Sequence, residues 1–197
     1  MRRVLAKVLC SALACCGCGT TSTARRNLPP LETVPRVELS RYLGEWYEIA
    51  AYPQKFQRGC TGTQARYSLR SDGDIDVLNR CRIGTLEGKE KVAQGRARVV
   101  DRTTHAKLEV SFFRPFWGDY WIIALDADYQ YAAVGHPSRD YLWILSRTPT
   151  MDSATYAALL SELSAKGYEL DRLELTLQPP APRAASIDPS VNVAAPR

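Results

Sequence analysis

The feature that most limits what this chain can fold into is a period of two that recurs in short blocks between residues 45 and 147. Thr63, Ala65, Tyr67 and Leu69 alternate with Gln64, Arg66, Ser68 and Arg70, and Leu108, Val110 and Phe112 alternate with Lys107, Glu109 and Ser111. Ala93, Gly95, Ala97 and Val99 do the same against Gln94, Arg96 and Arg98. Alternation of this kind marks a strand with one face buried and the other in water. Adding 45–51, 75–80, 120–125, 129–134 and 141–147 gives eight short strands. Turn-forming runs such as Ser71-Asp72-Gly73-Asp74 and His136-Pro137-Ser138-Arg139-Asp140 separate them, so the pattern predicts an antiparallel meander. Eight such strands can abolish their sheet edges by closing into an up-and-down barrel that holds one small ligand, and a two-sheet sandwich fits the same pattern.

One helix interrupts the period. Thr150 is placed as its N-cap and Asp152 in its first turn. Tyr156, Leu159, Leu160 and Leu163 share a face, and Gly167 ends the run. That stripe needs an apolar surface, which the outside of the sheet supplies. The stretch from Arg172 to Leu177 offers a ninth strand.

Charge separates the body from the ends. Residues 36–178 hold 19 Lys and Arg against 19 Asp and Glu, so the excess that makes the whole chain +5 sits in the flanks. A neutral body gives little support for nucleic-acid binding, which needs a basic face. The first 17 residues read as a signal peptide, with Arg2, Arg3 and Lys7 ahead of an apolar, small-residue stretch. Eleven uncharged residues from Val8 to Cys18 are too few for a permanent membrane span, which takes about 20. The sequence LACCGCG resembles a bacterial lipobox, with Cys18 the preferred lipidated residue and Cys16 and Cys15 the alternatives. Such an anchor would carry fatty-acyl chains of the palmitate type. Residues 18–35 read as a flexible tether, 36–178 as the domain and the proline-rich 179–197 as a disordered tail.

Set aside the leader cysteines and only Cys60 and Cys81 remain, a pair that an oxidising periplasm favours bridging. They flank the 71–74 turn. If Arg70 faces Ile75, Cys81 lies opposite Gln64, so a bridge demands a bulge or a bend in the preceding loop. No metal site is expected, because His105 and His136 both fall in turns and neither sits in a ligand-spaced cluster.

The segment Gly44-Glu45-Trp46-Tyr47-Glu48-Ile49-Ala50 resembles the G-x-W signature that opens the first strand of the lipocalins. Asp126-Ala127-Asp128-Tyr129-Gln130-Tyr131 is similar to their second motif, and Arg147 stands where the third has its arginine. Together with VSFFRPFWGDYWIIALD and YAAVGHPSRDYLWILSRTPTM, these residues resemble the bacterial outer-membrane lipoprotein lipocalins, relatives of apolipoprotein D and of the plant temperature-induced lipocalins. The resemblance runs from about residue 39 to residue 178. It implies an all-β fold with one packed helix, an eight-stranded antiparallel up-and-down barrel.

The resemblance also implies roles. Trp46 would enter near the closed end with Arg147 over its indole, making Gly44, Trp46, Asp128, Tyr129 and Arg147 structural. Trp46, Glu48 and Ala50 would face inward from the first strand, and Tyr120, Ile122 and Ala124 from the sixth. Tyr67, Asn79, Tyr131 and Tyr141 would offer polar contacts to a ligand head, with Trp143, Tyr120 and Glu48 completing the site. Glu48 is either a buried carboxylate with a raised pKa or one arm of an inner salt bridge. Ala65, Ala97, Ala124, Ala133 and Gly135, on the same expected inner face, would leave the interior vacant.

The function expected is that of a lipid-anchored binder, not an enzyme. It would carry or store a fatty acid or lysophospholipid at the periplasmic face of the outer membrane, without a cofactor. The sequence carries no Gly-x-Ser-x-Gly, phosphate-cradling glycine loop or ligand-spaced metal set. Two alternatives stand beside it: a lipid-modifying enzyme using Glu48 or Asp128, and an envelope inhibitor or assembly partner docking through the aromatic 112–118 loop. Whether the chain forms a homodimer is left open.

Overall fold

The computed structural model describes residues 28–180; the leader with its cysteines and most of the expected tail lie outside that span. Eight antiparallel strands follow the chain in order: β1 (Gly44–Ala51), β2 (Cys60–Leu69), β3 (Ile75–Ile83), β4 (Glu90–Val99), β5 (Lys107–Phe113), β6 (Phe116–Leu125), β7 (Tyr131–Gly135) and β8 (Leu142–Ser146). Each pairs with its neighbour in sequence. β1 also pairs with both β2 and β8, which rolls the sheet shut and excludes the sandwich. A two-residue ninth strand, β9 (Glu174–Leu175), pairs with β1 on the edge opposite β8, where β2 has left off.

Closure creates two apolar clusters. The interior one contains Trp46, Tyr67, Val77, Ala97, Leu108, Ile122, Val134 and Leu145. The other joins the outside of β1, β6, β7 and β8 to the long helix α2 (Ser153–Ala165) through Ile49, Ile123, Ile144, Leu159 and Leu163. A short helix α1 (Leu39–Tyr42) precedes β1. Helix α2 lies where its stripe predicts, but its cap is Asp152, whose carboxylate accepts from the amides of Ala154 and Thr155. Thr150 sits too early, because only the Asp152 carboxylate reaches those free amides. Gly167, at φ +86°, ends the helix as expected: the Tyr168 amide donates to Leu163 O.

Residues 28–35 of the segment expected to be a tether run along the barrel. Leu31 is buried in the outer cluster, and the Val34 amide donates to Ile122 O at 3.0 Å.

Two bulges decide which residues face inward. In β1 the register shifts between Glu48 and Ala50, and in β6 between Ile122 and Ala124. One extra residue turns every later side chain to the opposite face. Ala50 and Ala124 therefore belong to the outer cluster, Ala133 joins them as the partner of Ala124, and a side chain at Gly135 would collide with the Tyr168 hydroxyl. Three of the five small residues expected to empty the calyx instead give room to the elements packed outside it.

The Cys60–Cys81 bridge is present, with Cα atoms 5.4 Å apart. The bulge it requires lies between Thr61 and Gln64, with Gly62 at φ +58°. The bridge closes a 21-residue separation, so the double substitution Cys60→Ser, Cys81→Ser should cost about 3 kcal/mol of unfolding free energy in denaturant titration. Adding reductant to the parent should reproduce most of that loss.

Candidate functional site

The closed end is built around Trp46, which is fully buried. Its indole N–H donates to Tyr42 O at 2.8 Å, tying β1 to α1 four residues earlier. The Arg147 guanidinium lies 3.7 Å from the indole ring centroid. Its nitrogens also donate to the carbonyls of Glu45, Arg41, Tyr42, Leu43 and Tyr129. Gly44, at φ +97°, brings the backbone close: a side-chain carbon there would lie 3.4 Å from Arg147 Nη1. Tyr129, also in the left-handed region at φ +62°, is buried under Arg41, and its hydroxyl accepts from the Glu38 amide. Asp126 orders that turn by accepting from the amides of Asp128 and Gln130. The five motif residues thus gather at the plug.

Above the plug lies a floor of three tyrosines. Tyr42 and Tyr67 each hydrogen bond through their hydroxyls to that of Tyr120, at 2.7 and 2.9 Å. Burial pushes the Tyr67 hydroxyl up to about 12 and those of Tyr42 and Tyr120 well above their ordinary value. All three therefore remain protonated at neutral pH. Three hydroxyls sharing two bonds leave one O–H to donate elsewhere. Tyr42 was not among the expected site residues, although its place four residues before Trp46 is the signal for it.

The space bounded by these tyrosines with Ile75, Val77, Ala97, Leu108 and Val110 is narrow. About 270 Å³ is free of atoms when the adjoining solvent is included, but only about 10 Å³ admits the centre of a water molecule. That holds roughly one water, far below the ~300 Å³ of ordinary ligand pockets. The expectation of a vacant interior is therefore corrected for the deep half, which aromatic side chains fill in this conformation. Towards the mouth the inner face is looser. Ala65, Asn79, Ala93 and Trp143 are only half-buried. Asn79 faces Ala65 and Ala93 across its neighbouring strands, and its Oδ1 is buried without a hydrogen-bond partner among the described residues.

On the opposite wall Tyr141 stacks on Trp143, with centroids 6.0 Å apart. The Trp143 indole N–H donates to Gln57 Oε1, and Gln57 Nε2 donates to Glu48 at 2.7 Å. Thr176 Oγ1 donates to the other Glu48 oxygen at 2.6 Å. Glu48 is thus the buried carboxylate and its partners are amide and hydroxyl, not arginine. Neither Gln57 nor Thr176 carries a sequence pattern that would have marked it. Tyr131 does not join the site: it packs with the outer cluster near α2. It faces Ser146 across the ladder, one step from the pair formed by Ala132 and the inward-facing Leu145.

Burial raises the Glu48 pKa above its ordinary 4.5, outweighing the two bonds that lower it. A carboxyl raised in the folded state contributes stability that is complete below the unfolded pKa and lost as pH rises through the folded one. Glu48→Gln should therefore gain stability relative to the parent as pH climbs from about 4.5 towards neutrality, read by melting temperature across that range. A constant difference would contradict the assignment.

This architecture can be compared with known proteins. A family model described as a lipocalin-like domain matches residues 37–178. The chain belongs to the lipocalin family. It is 39% identical over 168 residues to temperature-induced lipocalin-1 of Arabidopsis thaliana, covering 81% of this chain and 89% of that one. It is 40% identical over 153 residues to outer membrane lipoprotein Blc of Escherichia coli K12, covering 77% and 86%. Apolipoprotein D of Mus musculus is 33% identical over 163 residues, covering 78% and 82%. Among solved structures, insecticyanin from the tobacco hornworm superposes with a TM-score of 0.60 at 21% identity, covering 76% of this lipocalin and 85% of that chain, which speaks to the fold alone.

Proposed function

We propose that this lipocalin binds one small lipophilic ligand of the fatty-acid or lysophospholipid class in the mouth half of its barrel. The observation that carries the reading is the inner wall above the tyrosine floor. It is apolar and half-buried at Ala65, Ala93, Val110 and Trp143, with an acceptor that has no partner among the described residues, Asn79 Oδ1, set into it. A buried acceptor left unpaired costs about 1 to 3 kcal/mol, and a ligand hydroxyl or amide would recover that. The acyl chain would lie against the small residues, with Tyr67, Tyr120, Tyr141, Trp143 and Glu48 bounding it.

Entry requires side chains to give way. The Phe112 ring lies over the inner face at Gly95, where a side-chain carbon would come within 2.8 Å of it, and Phe112 is itself exposed. It is the natural part to swing aside. The site brings together hydroxyls bonded to one another, a carboxylate held by amide and hydroxyl, and no metal cluster among the described residues, a constellation suited to binding rather than turnover.

The cellular setting is part of the same proposal. The lipobox-like LACCGCG and the similarity to the outer membrane lipoprotein Blc of enterobacteria support an acyl-anchored protein at the outer membrane, barrel towards the periplasm. The binding test is a titration of delipidated protein with palmitate and with a long-chain lysophospholipid. Trp143 in the wall should give a saturable change in intrinsic fluorescence at micromolar ligand. No response to either ligand would contradict the reading.

A further inference from the structure

The open end of the barrel carries a surface that the calyx does not use. Four connections meet there by the up-and-down topology: 52–59 between β1 and β2, 84–89 between β3 and β4, 114–115 between β5 and β6, and 136–141 between β7 and β8. At their tips Phe113 is 76% exposed, Phe116 70% and Phe56 59%. The Lys91 ammonium donates to Phe56 O at 2.7 Å, which holds the first connection against the start of β4, one strand away from the Phe113 hairpin. Soluble surfaces seldom leave several large aromatic side chains together in water.

The charge around them is equally uneven. Lys55, Arg58, Lys89 and Arg114 are exposed on these connections, and none has a carboxylate partner among the described residues; Glu87 and Asp140 are the acidic residues that the four connections carry. At the closed end the balance reverses: turns 70–74, 100–106 and 126–130 hold Asp72, Asp74, Asp101, Asp126 and Asp128 against Arg70 and Arg102. There Arg70 is paired to Asp76 at 2.6 Å. The barrel is thus polar along its axis, aromatic and cationic at the mouth, with an excess of aspartate in the closed-end turns.

We propose that the mouth rim docks on an anionic lipid surface, with Phe113, Phe116 and Phe56 entering the headgroup region while Arg114, Lys89, Lys55 and Arg58 meet lipid phosphates. Exposed aromatics flanked by unpaired cations match such a surface in both polarity and charge, and acidic residues at the far end favour one orientation. The calyx would then open directly onto the bilayer. A protein partner or a second copy of the chain would need acidic groups facing the cations, and the acidic plug end lies on the wrong pole for a face-to-face pair.

The test uses the full chain carrying Cys15→Ser, Cys16→Ser and Cys18→Ser, so that no acyl anchor contributes. It is floated with vesicles of phosphatidylcholine alone or with about one third phosphatidylglycerol. Binding to the anionic vesicles should exceed that to the neutral ones, weaken with salt, and fall about tenfold or more in Phe113→Asp, Phe116→Asp. That variant should keep its fluorescence response to acyl ligand, because both side chains are exposed and neither belongs to the interior cluster. Leu69→Asp, at an exposed apolar position near the closed end, should bind vesicles like the parent. Equal binding by the double variant, equal binding to both lipids, or loss of a self-associated species in place of vesicle binding would each overturn the proposal.

Discussion

Trp46→Ala should lower the unfolding free energy by about 3 to 5 kcal/mol, the range for removing a fully buried tryptophan. For a domain of this size that is a fall of roughly 6 to 20 °C in melting temperature. The size follows from what the indole organises. It fills the plug, its N–H holds α1 through Tyr42 O, and its face carries Arg147 at 3.7 Å. A cation over an aromatic face is worth about 0.5 to 2 kcal/mol, but the arginine matters more through its hydrogen bonds. Its planar fork serves five backbone carbonyls, and lysine cannot reproduce that fork. Arg147→Lys should therefore destabilise measurably even though it keeps the charge. If calorimetry showed less than about 1 kcal/mol lost in Trp46→Ala, the plug would not be the keystone described.

Ala93→Trp should weaken acyl-ligand binding at least about tenfold with little change in melting temperature, whereas the adjacent Val92→Trp should leave binding alone. Ala93 faces inward beside Asn79, is only half-buried and lies outside the interior core cluster. Val92 pairs with Arg80 on the outer face and is exposed. Neighbouring residues of one strand thus point to opposite sides, and the pair of variants reads that parity through function. Similar losses in both would mean that general damage, not occupation of the calyx, had been measured.

Most of the barrel was legible because alternation survives wherever one face is buried. Leu108, Val110 and Ala97 lie inside as their period demands, and α2 sits on the outer wall as its stripe demands. Legibility failed where the backbone adds a residue that parity cannot foresee. The bulges in β1 and β6 sent Ala50 and Ala124 outward, and Ala133 lies outside with its partner Ala124. Tyr131 was misplaced for a related reason: Leu145, correctly put inside by counting from Arg147, faces Ala132, and that register leaves Tyr131 outside. Gln57 and Thr176 were missed because they reach Glu48 from the β1–β2 connection and from the residue after β9, whose separations from Glu48 no periodicity encodes. The fill of the deep half depends on side-chain rotation, and a list of inward residues does not contain it.

The most direct measurement is the crystal structure of this lipocalin saturated with a long-chain lysophospholipid. Acyl density running inside the barrel between Ala93 and Trp143, above the Tyr67–Tyr120 pair and with Phe112 turned away from Gly95, is the predicted result. Ligand bound only on the outer wall or at the rim, with the interior unchanged, would contradict it.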